Sequence, residues 1–158
     1  MDKLWAPWRV GYITKVIGKK KDPCVFCRIL REKNDKENYI IKRTKHSLVV
    51  LNIYPYNNGH VLILPNRHVK DLKNLSRVER EELLDLIQEM QAKLDKLLKP
   101  AGYNIGLNLG RAAGAGIPGH LHFHVVPRWW GDNNFMPVVA NTKVISQSLK
   151  ELHKLLTK

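Results

Sequence analysis

The sequence predicts one α+β domain, in which two pairs of short strands are separated by a long helix. Short apolar runs bounded by Pro, Asn and Gly indicate the strands, and helical periodicity that begins at Ser76 indicates the helix. The chain has 158 residues, 44% of them hydrophobic, which suits one domain with a substantial core. Strands, then a helix, then further strands are typical of the α+β class.

The N-terminal part begins with a basic and aromatic segment, residues 1–23, which we expect to form an extension packed on the domain. A short helix is predicted over Phe26–Lys33. The first strand pair spans His46–Ile53 and His60–Leu64, joined by the turn Tyr54–Gly59. A short connection that contains Gly favours antiparallel pairing of these two strands.

The long helix begins at a capping box, in which Ser76 and Glu79 each satisfy a free backbone N–H group. Pro100 and Gly102 end it. Its apolar stripe consists of Leu83, Leu84, Ile87, Met90, Leu94, Leu97 and Leu98. We expect this stripe to pack in the core.

The second strand pair spans Tyr103–Leu109 and His120–Val126, and a loop rich in Gly and Ala, Gly110–Gly119, joins the two strands. Asn141 or Thr142 is expected to cap a last helix. Its predicted apolar stripe is Val144, Ile145, Leu149, Leu152 and Leu155 or Leu156.

Composition narrows the classes of function and location. The formal net charge of +13 favours polyanionic partners such as nucleotides, nucleic acid or anionic lipid. No apolar run of 18 residues is present, so we expect no membrane partner. The N-terminus lacks the apolar core of a secretory signal, which predicts a cytoplasmic protein. Two cysteines are too few for a disulfide framework.

Three histidines alternate along the last predicted strand. His120, His122 and His124 therefore lie on one face, roughly 7 Å apart. One interpretation is a metal site made by all three rings, although this spacing is wide for ligands of one ion. The other is a division of labour, with one imidazole as nucleophile and its neighbours as orienting groups or ligands.

The loop before these histidines suits an anion. Its small residues let a phosphate approach the backbone, and successive N–H groups can form a nest. The loop lacks the terminal Gly-Lys-Ser/Thr of a P-loop, so P-loop chemistry is not supported.

Cys24 and Cys27 form a C-x-x-C pair. This spacing supplies two ligands of a structural zinc site or a redox-active thiol pair. Because the chain also contains several histidines that can complete a ligand set, we favour zinc.

The segment His120–Val126 resembles the histidine-triad motif, His-φ-His-φ-His-φ-φ, where φ is apolar. The resemblance extends to the loop Asn108–Gly119, to Pro127–Phe135 and to Asn52–His68. Within the histidine-triad (HIT) superfamily, the chain is most similar to the fragile-histidine-triad and bacterial diadenosine-tetraphosphate branch. The resemblance implies one HIT domain over residues 1–158, with a core at 22–137 and a C-terminal helix at 138–158. It also implies an antiparallel sheet of about five strands.

The resemblance further implies cleavage of dinucleoside polyphosphates through a covalent nucleotidyl-histidine, which water or phosphate then resolves. His122 corresponds to the nucleophile, and His124 to a phosphate contact. His60 corresponds to a residue that supports the site and fixes the His122 ring. Asn52 would form a hydrogen bond with the ribose, and Asn108 would contact the phosphate or ribose.

The same resemblance implies a structural zinc ion and a symmetric homodimer. By position, His68 and His120 complete the zinc ligands with Cys24 and Cys27. His46 is the competing third ligand. His153, on the predicted C-terminal helix, is expected at the surface.

One departure concerns the acceptor that releases the nucleotide. Many relatives carry Gln or Ser where this chain has Gly116 and Ile117, so that contact to the substrate must come from backbone N–H groups, another side chain or phosphate. A phosphorylase is therefore an open alternative to a hydrolase. The segment Leu4–Arg9 and the pair Trp129-Trp130 also resemble the bacterial phosphorylase-like group. We consider stacking of Trp129 or Trp130 on adenine as a hypothesis, against ordinary packing or a dimer contact.

Two other functions stay open. One is hydrolysis of nucleoside phosphoramidates, as in another branch of the superfamily. The other is a zinc-stabilised module that binds nucleotides or nucleic acid without catalysis, which the basic charge and the aromatic residues Trp5, Trp8 and Trp129 support. Binding alone does not require His122 between two further histidines, so we expect a nucleotide substrate rather than a nucleic-acid partner.

Overall fold

The computed structural model describes residues 24–133, 136–140, 142 and 144–158. The predicted N-terminal extension and the predicted cap at Asn141 lie outside these residues. In the described part, five strands form one antiparallel sheet in the order β1-β2-β3-β5-β4. The strands are β1 (Ile40–Arg43), β2 (Ser47–Leu51), β3 (Val61–Pro65), β4 (Gly102–Leu107) and β5 (Phe123–Arg128). The predicted α+β class and the sheet of about five strands are confirmed.

The helices are α1 (Val25–Arg31), α2 (Arg77–Leu98), α3 (Met136–Ala140) and α4 (Leu149–Leu156), with a 3₁₀ turn at Leu72–Asn74. The capping box at the start of α2 is present as predicted, since Ser76 and Glu79 bond each other's backbone N–H groups. Lys99 ends α2 in a left-handed conformation, with φ of 48°. The predicted long helix is thus confirmed at both ends.

Strand β5 begins later than its sequence predicts. It starts at Phe123, so His120 and His122 precede it rather than lie within it. It also continues through Pro127 to Arg128, whereas the predicted strand ends at Val126. Proline has no N–H group to donate, and it is tolerated there because the pairing of β5 with β3 does not extend beyond Val125. The Pro127 carbonyl accepts a hydrogen bond from the side chain of Asn57.

The two faces of the sheet are covered by different helices. Helix α2 packs on one face, in a cluster that contains Val49, Leu51, Val61, Ile63, Val125, Leu83, Met90 and Leu94. Helix α1 packs on the other face, with Phe26, Ile29, Leu48, Val50, Leu62 and Leu64. Leu121 belongs to the α2 cluster, with Phe123 packed against it, so residues that alternate with the histidines anchor this segment in the core.

The C-terminal region corrects two predictions. Helix α4 is capped by Ser148, whose hydroxyl accepts a bond from the Glu151 N–H group. The predicted cap at Thr142 is wrong, since its hydroxyl instead donates back to a carbonyl at the end of α3. Val144, predicted in the apolar stripe, is 57% exposed. One continuous helix therefore does not span 138–158.

His153 was expected at the surface, but it is buried in α4. Its Nε2–H group donates to the carbonyl of Ile40 in β1 at 2.8 Å. The ring also meets Tyr39 edge-on, with centroids 5.8 Å apart. The sequence pattern places His153 on a helix but does not reveal that a strand carbonyl lies opposite.

Candidate active site

His122 is held by the backbone of the neighbouring His120. Its Nδ1 lies 2.8 Å from the His120 carbonyl oxygen. Because a carbonyl only accepts, Nδ1 carries the proton and donates it. In the neutral ring the lone pair is then on Nε2, which is the atom available as nucleophile.

A chain of hydrogen bonds also fixes the tautomers of His60 and His124. The Tyr56 backbone N–H donates to His60 Nδ1 at 3.0 Å, and Asn52 Nδ2 lies 3.3 Å from the same atom. His60 Nε2 must therefore carry the proton, which it donates to His124 Nδ1 at 2.9 Å. His124 consequently has its proton on Nε2.

The far end of this chain is an unused donor. His124 Nε2 is buried and has no hydrogen-bond partner among the residues that the structure describes. A buried polar atom without a partner is costly and points to a ligand that satisfies it. The rings of His122 and His124 lie 5.0 Å apart. One ring thus offers a lone pair, and the adjacent ring offers an N–H group.

The role expected of His60 is corrected by this geometry. His60 was expected to fix the His122 ring, but that bond comes from the His120 carbonyl. His60 instead orients His124. Sequence alone did not distinguish these arrangements, because the carbonyl is a backbone atom of the motif itself.

Burial keeps the three rings uncharged. It lowers the pKa of His60 to about 3, with smaller contributions from His124 and His122. It lowers the pKa of His124 to about 4, with His122 again contributing. The pKa of His122 is lowered by burial too, although its bond to the His120 carbonyl opposes the shift. Neutral imidazole is the nucleophilic form, so these environments suit attack on phosphorus.

Other residues that were predicted to contact the substrate are Asn52, Asn108, Gly116 and Ile117. Asn52 is half-buried beside His60. Asn108 is half-buried just beyond Leu107 of β4, which pairs with Phe123. Gly116 is half-buried in the preceding loop, and Ile117 packs against the α1 cluster. These two positions therefore supply backbone groups and an apolar contact, but no polar side chain.

Trp129 lies away from the histidines. Its indole N–H lies 3.3 Å from the carbonyl of Leu98 and 3.2 Å from that of Lys99, at the end of α2. By the alternation of side chains along a strand, Trp129 lies on the same face as Val125, which packs with α2. Trp130 is 94% exposed. For Trp129, the bonds to the end of α2 favour ordinary packing, which is the alternative to stacking on the substrate base.

Four predicted ligands come together behind the histidine pair. The ligand atoms of Cys24, Cys27, His68 and His120 all lie within 4.8 Å of one another. The distance from Cys24 Sγ to His120 Nδ1 is 3.4 Å, and that from Cys27 Sγ to His68 Nδ1 is 3.2 Å. Tetrahedral ligands about 2.0–2.3 Å from one ion are separated by roughly 3.5 Å, so this group can hold a metal.

The surroundings of the cluster agree with a ligand role. His120 Nε2–H donates to the Pro65 carbonyl at 2.8 Å, which leaves Nδ1 unprotonated towards the cysteines. A Cβ atom on Gly119 would lie 3.3 Å from the His68 ring, so glycine gives that ring room. His46, the competing ligand, is not a member of the cluster.

Two residues beside the histidines were missed by sequence reasoning. Phe26 of α1 contacts both His120 and His122, with centroids 5.4 and 5.1 Å away. Tyr56 stacks on His124 at 5.7 Å with the ring planes 11° apart. Phe26 lies inside the C-x-x-C pair and Tyr56 lies four residues before His60, so proximity to named motifs was the available signal.

Comparison with known proteins identifies the family. The protein-family model that describes the HIT domain matches residues 33–129 of the sequence. The chain belongs to the HIT-domain family. Among its described residues, no helix is long and apolar enough to cross a membrane.

Two curated relatives of this HIT-domain chain are named as enzymes. A Mycobacterium tuberculosis protein named AP-4-A phosphorylase is 37% identical over 99% of this chain and 83% of its own length. A Schizosaccharomyces pombe protein named asymmetrical bis(5'-nucleosyl)-tetraphosphatase is 36% identical over 56% of this chain and 48% of its own length.

A solved structure supports the same fold. The zinc-bound histidine triad family protein from Mycobacterium smegmatis matches with a TM-score of 0.68 and 29% identity. The match covers 85% of this chain and 90% of that protein.

Proposed function

We propose that this protein cleaves dinucleoside polyphosphates through a covalent nucleotide on His122. The observation that carries the proposal is the pairing of two fixed tautomers: a lone pair on His122 Nε2, and an N–H group on His124 Nε2 that no described residue accepts. The names of the two enzymatic relatives supply the substrate class.

In the first half of the reaction, His122 Nε2 attacks the α-phosphorus. The N–P bond forms, the bond from phosphorus to the bridging oxygen breaks, and the leaving nucleotide keeps the electron pair. The modified ring carries positive charge, which the bond from Nδ1–H to the His120 carbonyl stabilises. The N–H group of His124 donates to the phosphoryl oxygens as negative charge develops on them.

In the second half, an acceptor oxygen attacks the same phosphorus and the N–P bond breaks, which restores neutral His122. Gly116 and Ile117 offer no polar side chain to guide that oxygen. We infer that inorganic phosphate is the acceptor, since it brings its own charge and hydrogen-bonding groups. The relative that aligns over nearly the whole chain is named a phosphorylase, which supports this choice.

We further propose that the cluster of Cys24, Cys27, His68 and His120 holds zinc. Two thiolates and two imidazoles are a ligand set typical of closed structural zinc sites. Bound zinc would tie α1 to the segment before β5, and so support the position of Phe26 against the His122 ring. No step of the reaction requires it. Elemental analysis of the wild type against Cys24→Ser tests the site.

The reaction is tested by incubating the protein with diadenosine tetraphosphate, with and without phosphate, and resolving the products. We expect ADP and ATP in a phosphate-dependent reaction. Phosphate-independent release of AMP and ATP would instead make the protein a hydrolase. If no AMP ester or amidate is consumed, the enzyme assignment is wrong.

The nucleophile is tested by covalent labelling with substrate radiolabelled at the α-phosphate. His122→Ala is expected to abolish labelling, and His46→Ala, outside the site, is expected to retain it. Full activity of His122→Ala would refute the assignment.

A homodimer and a cytoplasmic location complete the proposal. Among the described residues, strand β4 is an edge strand that pairs with β5 on one side. Several of its residues are exposed, which supports pairing with a second copy. Sedimentation equilibrium tests the dimer, and cell fractionation tests the location.

A further inference from the structure

A small cavity lies beside His124 on the same face of the sheet. Its volume is about 200 Å³, and it is lined by Tyr56, Asn57, Asn104, Val126, Arg128 and Asn133. Val126 lies two residues beyond His124, on the same face and roughly 7 Å along the strand. Tyr56 connects the two places, since it lines the cavity and stacks on the His124 ring.

The cavity does not have the charge of a phosphate site. Its cation, Arg128, is held by both carboxylate oxygens of Asp132, at 2.6 and 2.8 Å. The remaining Arg128 nitrogen, Nη1, donates to Asn104 Oδ1 at 2.6 Å. The guanidinium charge is therefore compensated, and its donors are directed to protein oxygens.

The walls suit a flat, uncharged ring. Tyr56 contributes an aromatic side chain to the lining, and Val126 contributes a buried apolar one. Because Arg128 engages the oxygen of the Asn104 amide, Asn104 presents its NH₂ group as a donor. A ligand that stacks on a tyrosine and accepts a hydrogen bond at a ring nitrogen is a heteroaromatic base.

The size agrees with a single base. Pockets for whole drug-sized ligands measure roughly 300–1,000 Å³, so this smaller cavity accommodates a ring system and leaves its sugar and phosphates outside. The phosphates would then lie towards His124, whose Nε2–H group has no partner in the described part of the chain.

We propose that this cavity binds the base of the second nucleoside, the one that departs with the leaving group. This inference rests on the proposed function, because it assumes a substrate with a nucleoside at each end. The cavity would favour dinucleoside polyphosphates over mononucleoside polyphosphates of equal phosphate number.

The test compares diadenosine tetraphosphate with adenosine tetraphosphate, which lacks the second nucleoside. Equilibrium binding of both is measured by calorimetry on His122→Ala protein, so that no turnover interferes. We expect the two-nucleoside ligand to bind about tenfold more tightly. Adding Asn104→Ala should remove most of this difference, and adding Asn74→Ala, an exposed asparagine outside the cavity, should leave it intact.

A second variant keeps the test decisive if the Asn104→Ala protein does not fold. Tyr56→Leu keeps an apolar side chain but removes the aromatic face, and it should also reduce the difference in affinity. Equal binding of the two ligands, or a difference that survives both variants, would overturn the subsite. Failure of the proposed function is distinct, since wild-type protein would then consume neither compound whatever the binding ratio.

Discussion

At the scale of single residues, the site depends on where protons lie. Each ring has one nitrogen committed to a fixed partner: His122 to a carbonyl, His60 to a backbone N–H and His124 to His60. These bonds determine which of the remaining nitrogens carries a proton, and none of them involves a charged group. The motif in the sequence predicts that the histidines share a site, but the division of protons among them comes from backbone groups.

His60 is a positioning residue, and its replacement should separate geometry from packing. His60→Leu removes the donor to His124 and should lower kcat about 10- to 100-fold. His60→Gln retains a side-chain donor and acceptor and should recover much of that loss. Steady-state kcat and KM for both variants check this. Equal activity of His60→Leu and wild type would contradict the role.

The pH profile should reflect the neutral rings. The pKa of His60 is about 3 and that of His124 about 4, so neither should titrate between pH 5 and 8. Below about pH 5, protonation of His124 at Nδ1 breaks the bond from His60, and kcat should fall. A kcat–pH profile of the wild type, measured over the range in which it stays folded, checks this. An acid limb centred near 6.5 would show that burial does not hold the rings neutral.

At the scale of elements, the start of α2 combines a cap with an ion pair, in which the carboxylate of Glu79 is buried and the side chain of Arg67 is exposed. Glu79 bonds the Ser76 N–H group and receives two bonds from Arg67, both at 2.7 Å. The guanidinium of Arg67 is the main cause that lowers the pKa of Glu79 to about 2. Periodicity and capping rules predicted this helix, but the partner Arg67 lies 12 residues away in sequence and no pattern indicates it.

Glu79→Gln should destabilise the fold by about 1–3 kcal/mol at pH 7. Because the folded pKa lies below the ordinary value, this stabilisation is present above about pH 4.5 and is lost as pH falls towards 2. Urea unfolding of wild type and variant checks both statements. The difference between them should shrink across that pH window, and Glu81→Gln, on the exposed surface of α2, is the matched control.

Elements with strong patterns were predicted well, and elements defined by their partners were not. Strand β1 was missed because only four residues form it and two of them, Lys42 and Arg43, are charged. Helix α4 was predicted too long because its apolar positions continue into Val144, which the fold leaves exposed. Local propensity does not determine these outcomes, because they depend on tertiary packing.

At the scale of the whole molecule, the proposed metal cluster joins distant parts of the chain. Its ligands come from α1, from the segment after β3 and from the segment before β5. The C-x-x-C spacing predicted a site, and the resemblance assigned the two histidines. Composition, in contrast, predicted a partner class without locating any surface.

Loss of the metal should therefore destabilise the whole domain. A site filled about 1,000-fold above its Kd contributes about 4 kcal/mol, which corresponds to a fall in Tm of roughly 10 °C for a domain of this size. Cys24→Ser or a chelator should produce this fall, measured by calorimetry, and His46→Gln should not. An unchanged Tm in metal-free protein would show that the cluster is not a structural site.

The bond from His122 Nδ1 to the His120 carbonyl has an evolutionary consequence. The ring of His120 belongs to the proposed metal cluster, whereas the atom that orients the nucleophile belongs to the main chain. A relative that keeps the backbone path can exchange the His120 side chain, and lose its cysteines, without surrendering the nucleophile's tautomer. Metal dependence and chemical competence are therefore separable traits in such a lineage, free to be gained or lost independently.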